Sequence, residues 1–293
     1  MTSSAPSPRP PEHDDFGGLQ RDLPAFVGRR RALQLLGGAS LVGLLAACSS
    51  SDPSTGSTGS TAPATSGSSS ATAATGGAAT ATGGVTASAG AEIPDETRGP
   101  YPADGSNGPD VLGIDGIVRA DITSSVGDRS GTADGVPLAV QLTVVDHSTG
   151  SPVAGAAVYA WHCTADGRYS VYEVTDQNYL RGIQVADSTG KLTFTTIFPG
   201  CYAGRWPHIH VEVYPSLDEA TAGTASIKTS QLALPESDCA AVYADSRYGD
   251  SSGSLGRLSL DTDNVFRDGW TEQLATVSGS AATGYTASLL VRV

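Results

Sequence analysis

Basic side chains are scarce. The 293 residues hold 17 Lys and Arg against 30 Asp and Glu, a formal net charge of −13. A surface so short of positive charge offers little to a phosphate backbone, which argues against a nucleic-acid partner. Cysteine is scarce too, with four residues at 48, 163, 201 and 239. None has close Cys-x-x-Cys spacing, which argues against a cysteine-built zinc site. Past Cys48 their number is odd. One disulfide and one free thiol is the simplest arithmetic for an exported chain, and all three pairings stay open. The apolar run at residues 35–47 is broken by glycines and a serine. It falls short of the ~20 apolar residues that span a membrane. No long helical period appears either, so a helical bundle is not expected.

What is present divides into three parts. Residues 1–47 read as an export signal: Arg29-Arg30-Arg31, the apolar run, then Leu45-Ala46-Ala47 before Cys48. The paired arginines resemble a twin-arginine export signal, although Ala32 and Leu33 stand where its usual Phe would be sought. Leu-Ala-Ala-Cys matches the bacterial lipobox, which implies a lipidated Cys48 as the first mature residue. An ordinary cleaved signal and an uncleaved anchor are the competing readings. Residues 48–92 are almost wholly Ser, Thr, Gly and Ala. Such a segment has no apolar surface to bury and reads as a flexible tether. The expected location is outside the cytoplasmic membrane, lipid-anchored on its outer side or extracellular. Residues 93–293 are ample for one domain with its own core.

That domain reads as all-β. Leu138, Val140, Leu142 and Val144 alternate with less apolar residues, residues 156–163 and 191–197 are further strands, and residues 288–293 close the chain on another. Gly, Pro and Asp punctuate between them, as in a β-sandwich. Residues 231–245 are expected to hold a short helix. Residues 91–116 are irregular and rich in Pro and Gly, and are expected to wrap the domain.

The densest chemistry lies in residues 200–214, reading GCYAGRWPHIHVEVY. Ile209, Val211 and Val213 alternate with His208 and His210. On a strand the two imidazoles share one face and the aliphatic side chains take the other. Two imidazoles on one face are able to share a metal ion, or simply to fill a surface face of a sheet. Tyr202 and Arg205 stand just upstream, a candidate anionic ligand and a fixed positive charge. Tyr169 follows the Asp166-Gly167 turn, at a loop or strand end where functional residues concentrate.

The ordered set of motifs resembles the intradiol ring-cleavage dioxygenases. It runs Gly99-Pro100-Tyr101, Pro152-Val153-Ala154-Gly155-Ala156, Trp161-His162-Cys163 and Gly167-Arg168-Tyr169. It continues through Phe194-Thr195-Thr196-Ile197-Phe198-Pro199-Gly200-Cys201-Tyr202, Arg205-Trp206-Pro207-His208-Ile209-His210 and Thr229-Ser230-Gln231-Leu232. The match is nearest to the family's exported members. The resemblance implies a β-sandwich of the intradiol dioxygenase type and a non-haem Fe(III) cofactor held by Tyr169, Tyr202, His208 and His210. It implies catechol-type substrates cut with O2 between the two hydroxylated carbons, giving muconate-type diacids. Tyr202 would be the ligand that substrate displaces and would take a catechol proton. Arg205 would stabilise the electron-rich ring, and Gln231 would hold the geometry. His162 is read as packed beside the site. Only five residues separate Tyr202 from His208, fewer than in the intracellular enzymes, so substrate choice does not carry over. An extended helical amino-terminal region is missing, so neither does the family's dimer.

Two other classes compete. A non-catalytic transthyretin-like sandwich that binds a ligand or partner accounts for residues 136–162, but leaves the tyrosines, Arg205 and His-x-His unexplained. A zinc hydrolase or cupin-like enzyme would add a carboxylate to the histidines. Glu212, on the same strand face, is its candidate.

Overall fold

The structure is a computed structural model and describes residues 89–293. The export segment, Cys48 and nearly all of the tether lie outside the described residues.

Eight strands form two four-stranded sheets. Sheet one has the order β4-β1-β8-β7 and sheet two β3-β2-β5-β6. They are β1 (Pro137–Val145), β2 (Ala157–Trp161), β3 (Arg181–Val185), β4 (Lys191–Ile197), β5 (His208–Tyr214), β6 (Lys228–Ala233), β7 (Thr276–Ser280) and β8 (Gly284–Arg292). All pairs are antiparallel except β1 with β8. The period-2 pattern of β1 is realised: Leu138, Val140, Leu142 and Val144 are buried. They share one core with Phe194 of β4 and with Val158, Ile209, Val211 and Leu232 of sheet two. Each fully buried aliphatic side chain contributes ~1.5–3 kcal/mol.

Sheet two is buried on both faces. Every residue of β2 and β5 is buried, so the histidine face is not a surface face. Its second face carries Tyr159, Trp161 and Tyr214, which pack with Ala103, Val111, Leu112 and Ile117 of the amino-terminal segment and with Ala220. That segment wraps the domain as its composition implies. Ile93 N–H donates to Arg292 O at 3.0 Å and Glu96 N–H to Thr229 O at 2.7 Å. Arg98 Nε donates to Glu212 Oε1 at 2.6 Å, and Lys228 Nζ pairs with Glu92 at 2.7 Å and Asp95 at 3.2 Å.

Among the described residues three short helices join these elements: α1 (Leu217–Ala222), α2 (Glu236–Val242) and α3 (Ser251–Leu255). Ser216 caps α1 by accepting from Glu219 N–H, and Gly223 ends it at φ 65°. None of the helices among the described residues is long and apolar enough to cross a membrane.

One expectation is met and one is corrected. The short helix expected within 231–245 is α2, Glu236–Val242, which follows Gln231 of β6, the strand partner of His210. The expected disulfide is absent: Cys163, Cys201 and Cys239 are all buried free thiols. Each sulfur has its own surroundings. Cys163 donates to Gly200 O at 3.4 Å, Cys201 to Arg205 O at 3.5 Å, and Cys239 packs in the main core.

Candidate metal centre

Two loops and one strand build the site. The first loop leaves β2 through Thr164-Ala165-Asp166-Gly167, where Gly167 takes φ 79° in the region that suits glycine. A Cβ on Gly167 would lie 3.2 Å from Cys201 O, and one on Gly200 would lie 2.3 Å from Ala165 O. The two glycines thus let the Tyr169 loop and the Tyr202 loop meet backbone to backbone. Gly200 N–H donates to Thr164 O at 3.0 Å across this contact. Tyr169 is then held by its own N–H, which donates to Glu173 Oε2 at 2.8 Å.

Strand β5 supplies His208 and His210, two residues apart and on one face as expected. His208 Nε2 and His210 Nε2 are 3.1 Å apart, and Tyr169 Oη is 3.4 Å from each. Donors about 2.0–2.1 Å from a common ion lie about 2.8–3.6 Å apart at ligand angles of about 90–120°. The triangle therefore has the dimensions of three ligands on one ion. His208 Nδ1 sits 2.6 Å from Trp206 O, which can only accept, so its proton is on Nδ1 and the Nε2 lone pair faces the triangle. The Tyr202 ring stands 5.3 Å from the Tyr169 ring at 76°, half-buried at the site's rim.

Burial dominates the electrostatics. It pushes His208 down to about 3, with the Arg205 charge adding to the effect. It holds His210 well below the usual imidazole range, with His208 as the next cause. Burial also raises the Tyr169 phenol well above its ordinary range. Neutral imidazoles are ready to ligate, whereas a phenolate here requires a cation beside it. Two imidazoles and phenolic oxygens suit a hard, highly charged ion such as Fe(III).

The carboxylate of the zinc alternative is otherwise engaged. Glu212 is fully buried and accepts from Arg98 Nε, from Thr229 Oγ1 at 2.9 Å and from Tyr214 Oη at 2.9 Å. Among the described residues no three His, Cys, Asp or Glu side chains come together for a metal.

Arg205 is 4% exposed and is no surface ion pair. Its Nε and Nη2 donate to Asp263 at 3.0 and 3.2 Å, and Nη2 also to Gln231 Oε1 at 2.7 Å. Gln231 in turn donates to Thr97 O at 3.0 Å, so it links the arginine to the amino-terminal wrap. Asp263 accepts from Trp206 N–H at 2.7 Å and Val265 N–H at 2.8 Å as well. Burial works to raise Asp263, but the Arg205 charge and these hydrogen bonds leave it below the usual carboxylate range. His162 is packed rather than ligating: Nδ1 donates to Cys163 O at 2.7 Å and Nε2 accepts from Thr196 Oγ1 at 2.7 Å. Burial lowers it to about 4.

Sequence reading missed Asp263, 58 residues from Arg205, which carries no spacing signal. It also gave no role to Trp161, Tyr101 or Gly99. Trp161 stacks on His210, Tyr101 packs 4.9 Å from Tyr169, and a Cβ on Gly99 would lie 3.3 Å from His210 Cε1.

Known proteins share this pattern. Residues 116–215 match a family model described as Dioxygenase. A chlorocatechol 1,2-dioxygenase of Pseudomonas sp. (strain P51) is 41% identical over 54 residues, which are 18% of this chain and 22% of that protein. One of Pseudomonas putida is 33% identical over 98 residues, 33% of this chain and 37% of that protein. The chain thus spans well under half of the curated relatives it matches. Among solved structures, an intradiol ring-cleavage dioxygenase from Tetranychus urticae is similar with a TM-score of 0.53 and 26% identity, covering 69% of this chain and 94% of that one. Residues 116–215 thus match the dioxygenase family model, and the described domain is similar to intradiol ring-cleavage dioxygenases.

Proposed function

We propose that this protein is a non-haem Fe(III) dioxygenase that opens catechol-type rings between their two hydroxylated carbons, with O2 as co-substrate and muconate-type diacids as products. The observation that carries the reading is the buried triangle of Tyr169 Oη, His208 Nε2 and His210 Nε2, 3.1–3.4 Å on a side. Tyr169, Tyr202, His208 and His210 would hold the ion. When bound, Fe(III) supplies a Lewis acid for both catechol oxygens and an acceptor for the ring's electron density.

The chain's own residues do the rest. Tyr202, at the rim, takes a proton from a catechol hydroxyl on its Oη. Arg205, held by Asp263 and Gln231, keeps a positive charge close to the histidines while the ring becomes electron-rich. The covering amino-terminal wrap keeps water off the second face of sheet two. The two-sheet architecture is then the family's β-sandwich. Export and anchoring through a lipidated Cys48 belong to the same proposal, on the strength of the amino-terminal motifs.

The test is colour, metal and product. Purified chain should absorb visible light, as tyrosinate on Fe(III) does, and carry about one iron per chain. It should consume O2 with a catechol and yield the ring-opened diacid. A colourless protein that binds zinc but takes up no iron on reconstitution overturns the reading in favour of a ligand-binding module or a zinc enzyme.

A further inference from the structure

The histidine face of sheet two carries an aromatic column. Strand pairing sets Trp161 of β2 opposite His210 of β5, and directly paired residues on one face touch. The Tyr159 and Trp161 rings stack at 4.9 Å and 23°, and Trp161 stacks on His210 at 4.6 Å and 4°. The two histidines are held differently. His208 is oriented by its Nδ1–H bond to Trp206 O. His210 Nδ1 is buried and has no hydrogen-bond partner among the described residues. Metal-binding imidazoles are ordinarily oriented by a hydrogen bond from their other nitrogen. His210 instead lies in a slot, with the indole face along it and Gly99 close to Cε1.

We propose that Trp161 is the positioning residue for His210, setting the imidazole plane by face-to-face stacking in place of the absent hydrogen bond. The proposal rests on the reading of the triangle as a ferric site. An imidazole that donates its lone pair to a cation becomes electron-poor, and the electron-rich indole face stabilises it more than it stabilises the free ring. Trp161 therefore strengthens the loaded site selectively, beyond its contribution to packing. Gly99, at φ 68°, leaves room beside His210 Cε1 that any side chain would take.

The test uses the full chain with histidine-selective isotope labelling. In the unchanged protein loaded with gallium(III), a diamagnetic ion of ferric charge, the His210 ring protons should be shifted upfield by the indole ring current relative to those of His208. Equal shifts for the two rings overturn the stack without any variant. Next, ferric affinity is measured by chelator competition for wild type, Trp161→Phe and Trp161→Leu. The expected result is affinity close to wild type with Phe and a loss of about 10–100-fold with Leu, at matched thermal stability of the unloaded proteins. Leu binding as tightly as wild type overturns the proposal, and so does Phe losing as much as Leu. If the Leu variant does not fold, the ring-current shift and the Phe variant decide. If wild type binds neither ferric iron nor gallium, the ferric reading fails on its own, and the His210 shift in the unloaded chain still decides the stack.

Discussion

Arg205 shows how burial changes the meaning of a single residue. On sequence it is one positive charge three residues before His208, and a surface pair would be worth ~0–1 kcal/mol. In the structure it and Asp263 form a bidentate pair almost free of solvent. Removing one partner of a buried pair costs ~3–5 kcal/mol, because the other charge stays buried alone. Arg205→Ala should therefore lower unfolding free energy by about that amount in denaturant titration, and loss of iron in that variant would be ambiguous. The double variant Arg205→Gln with Asp263→Asn removes both charges and should recover much of the stability. If Arg205 acts on the reacting ring, this double variant should keep iron and colour yet turn over catechol about 100–1000-fold more slowly. Unchanged turnover in a stable, iron-loaded double variant would leave Arg205 a structural residue.

Two elements carry predictions of their own. The contact between the Tyr169 and Tyr202 loops depends on the bare Gly200, where a methyl group would meet Ala165 O at 2.3 Å. Gly200→Ala should separate the loops, costing ~1–3 kcal/mol of stability. It should also weaken ferric binding, read as loss of the visible band at fixed iron. A variant with normal colour and melting would mean the loops tolerate separation. The amino-terminal wrap carries Glu96, whose pKa is raised to about 8, first by burial and then by the neighbouring Asp268. Its carboxylate accepts a long hydrogen bond from Gln273 Nε2 at 3.4 Å. Between the unfolded value near 4.5 and about 8, the folded chain holds a proton that the unfolded chain has lost. Stability therefore falls as pH rises through that window. Glu96→Gln should be neutral near pH 4 and stabilise by ~1–3 kcal/mol at pH 8, discounted for partial exposure. A pH-independent difference between the two proteins would remove Glu96 as the cause.

At the scale of the whole molecule, the proposed arrangement is a catalytic domain on a tether from a lipid anchor. Replacing Cys48 with Ser should release the protein from the membrane fraction or leave the precursor uncleaved, as read by fractionation and mass. Unchanged processing and location would refute the lipobox reading. The sequence alone was enough for whatever depends on local pattern. Alternation placed β1, β4 and the core side of β5, and the i, i+2 rule put His208 and His210 on one face. The ordered motifs named Tyr169, Tyr202, Arg205 and Gln231, although Gln231 fell in a stretch read as partly helical and proved to be strand. What alternation could not show is that sheet two is covered twice, because a strand buried on both faces has no polar side to betray the second cover. The three thiols could not be assigned by counting, since oxidation depends on which sulfurs meet. Asp263, the Trp161 stack and the closeness of Gly99 to His210 were decided only by tertiary structure. They join segments tens of residues apart, and the forces that bring them together are burial and strand register, which no short window of sequence contains.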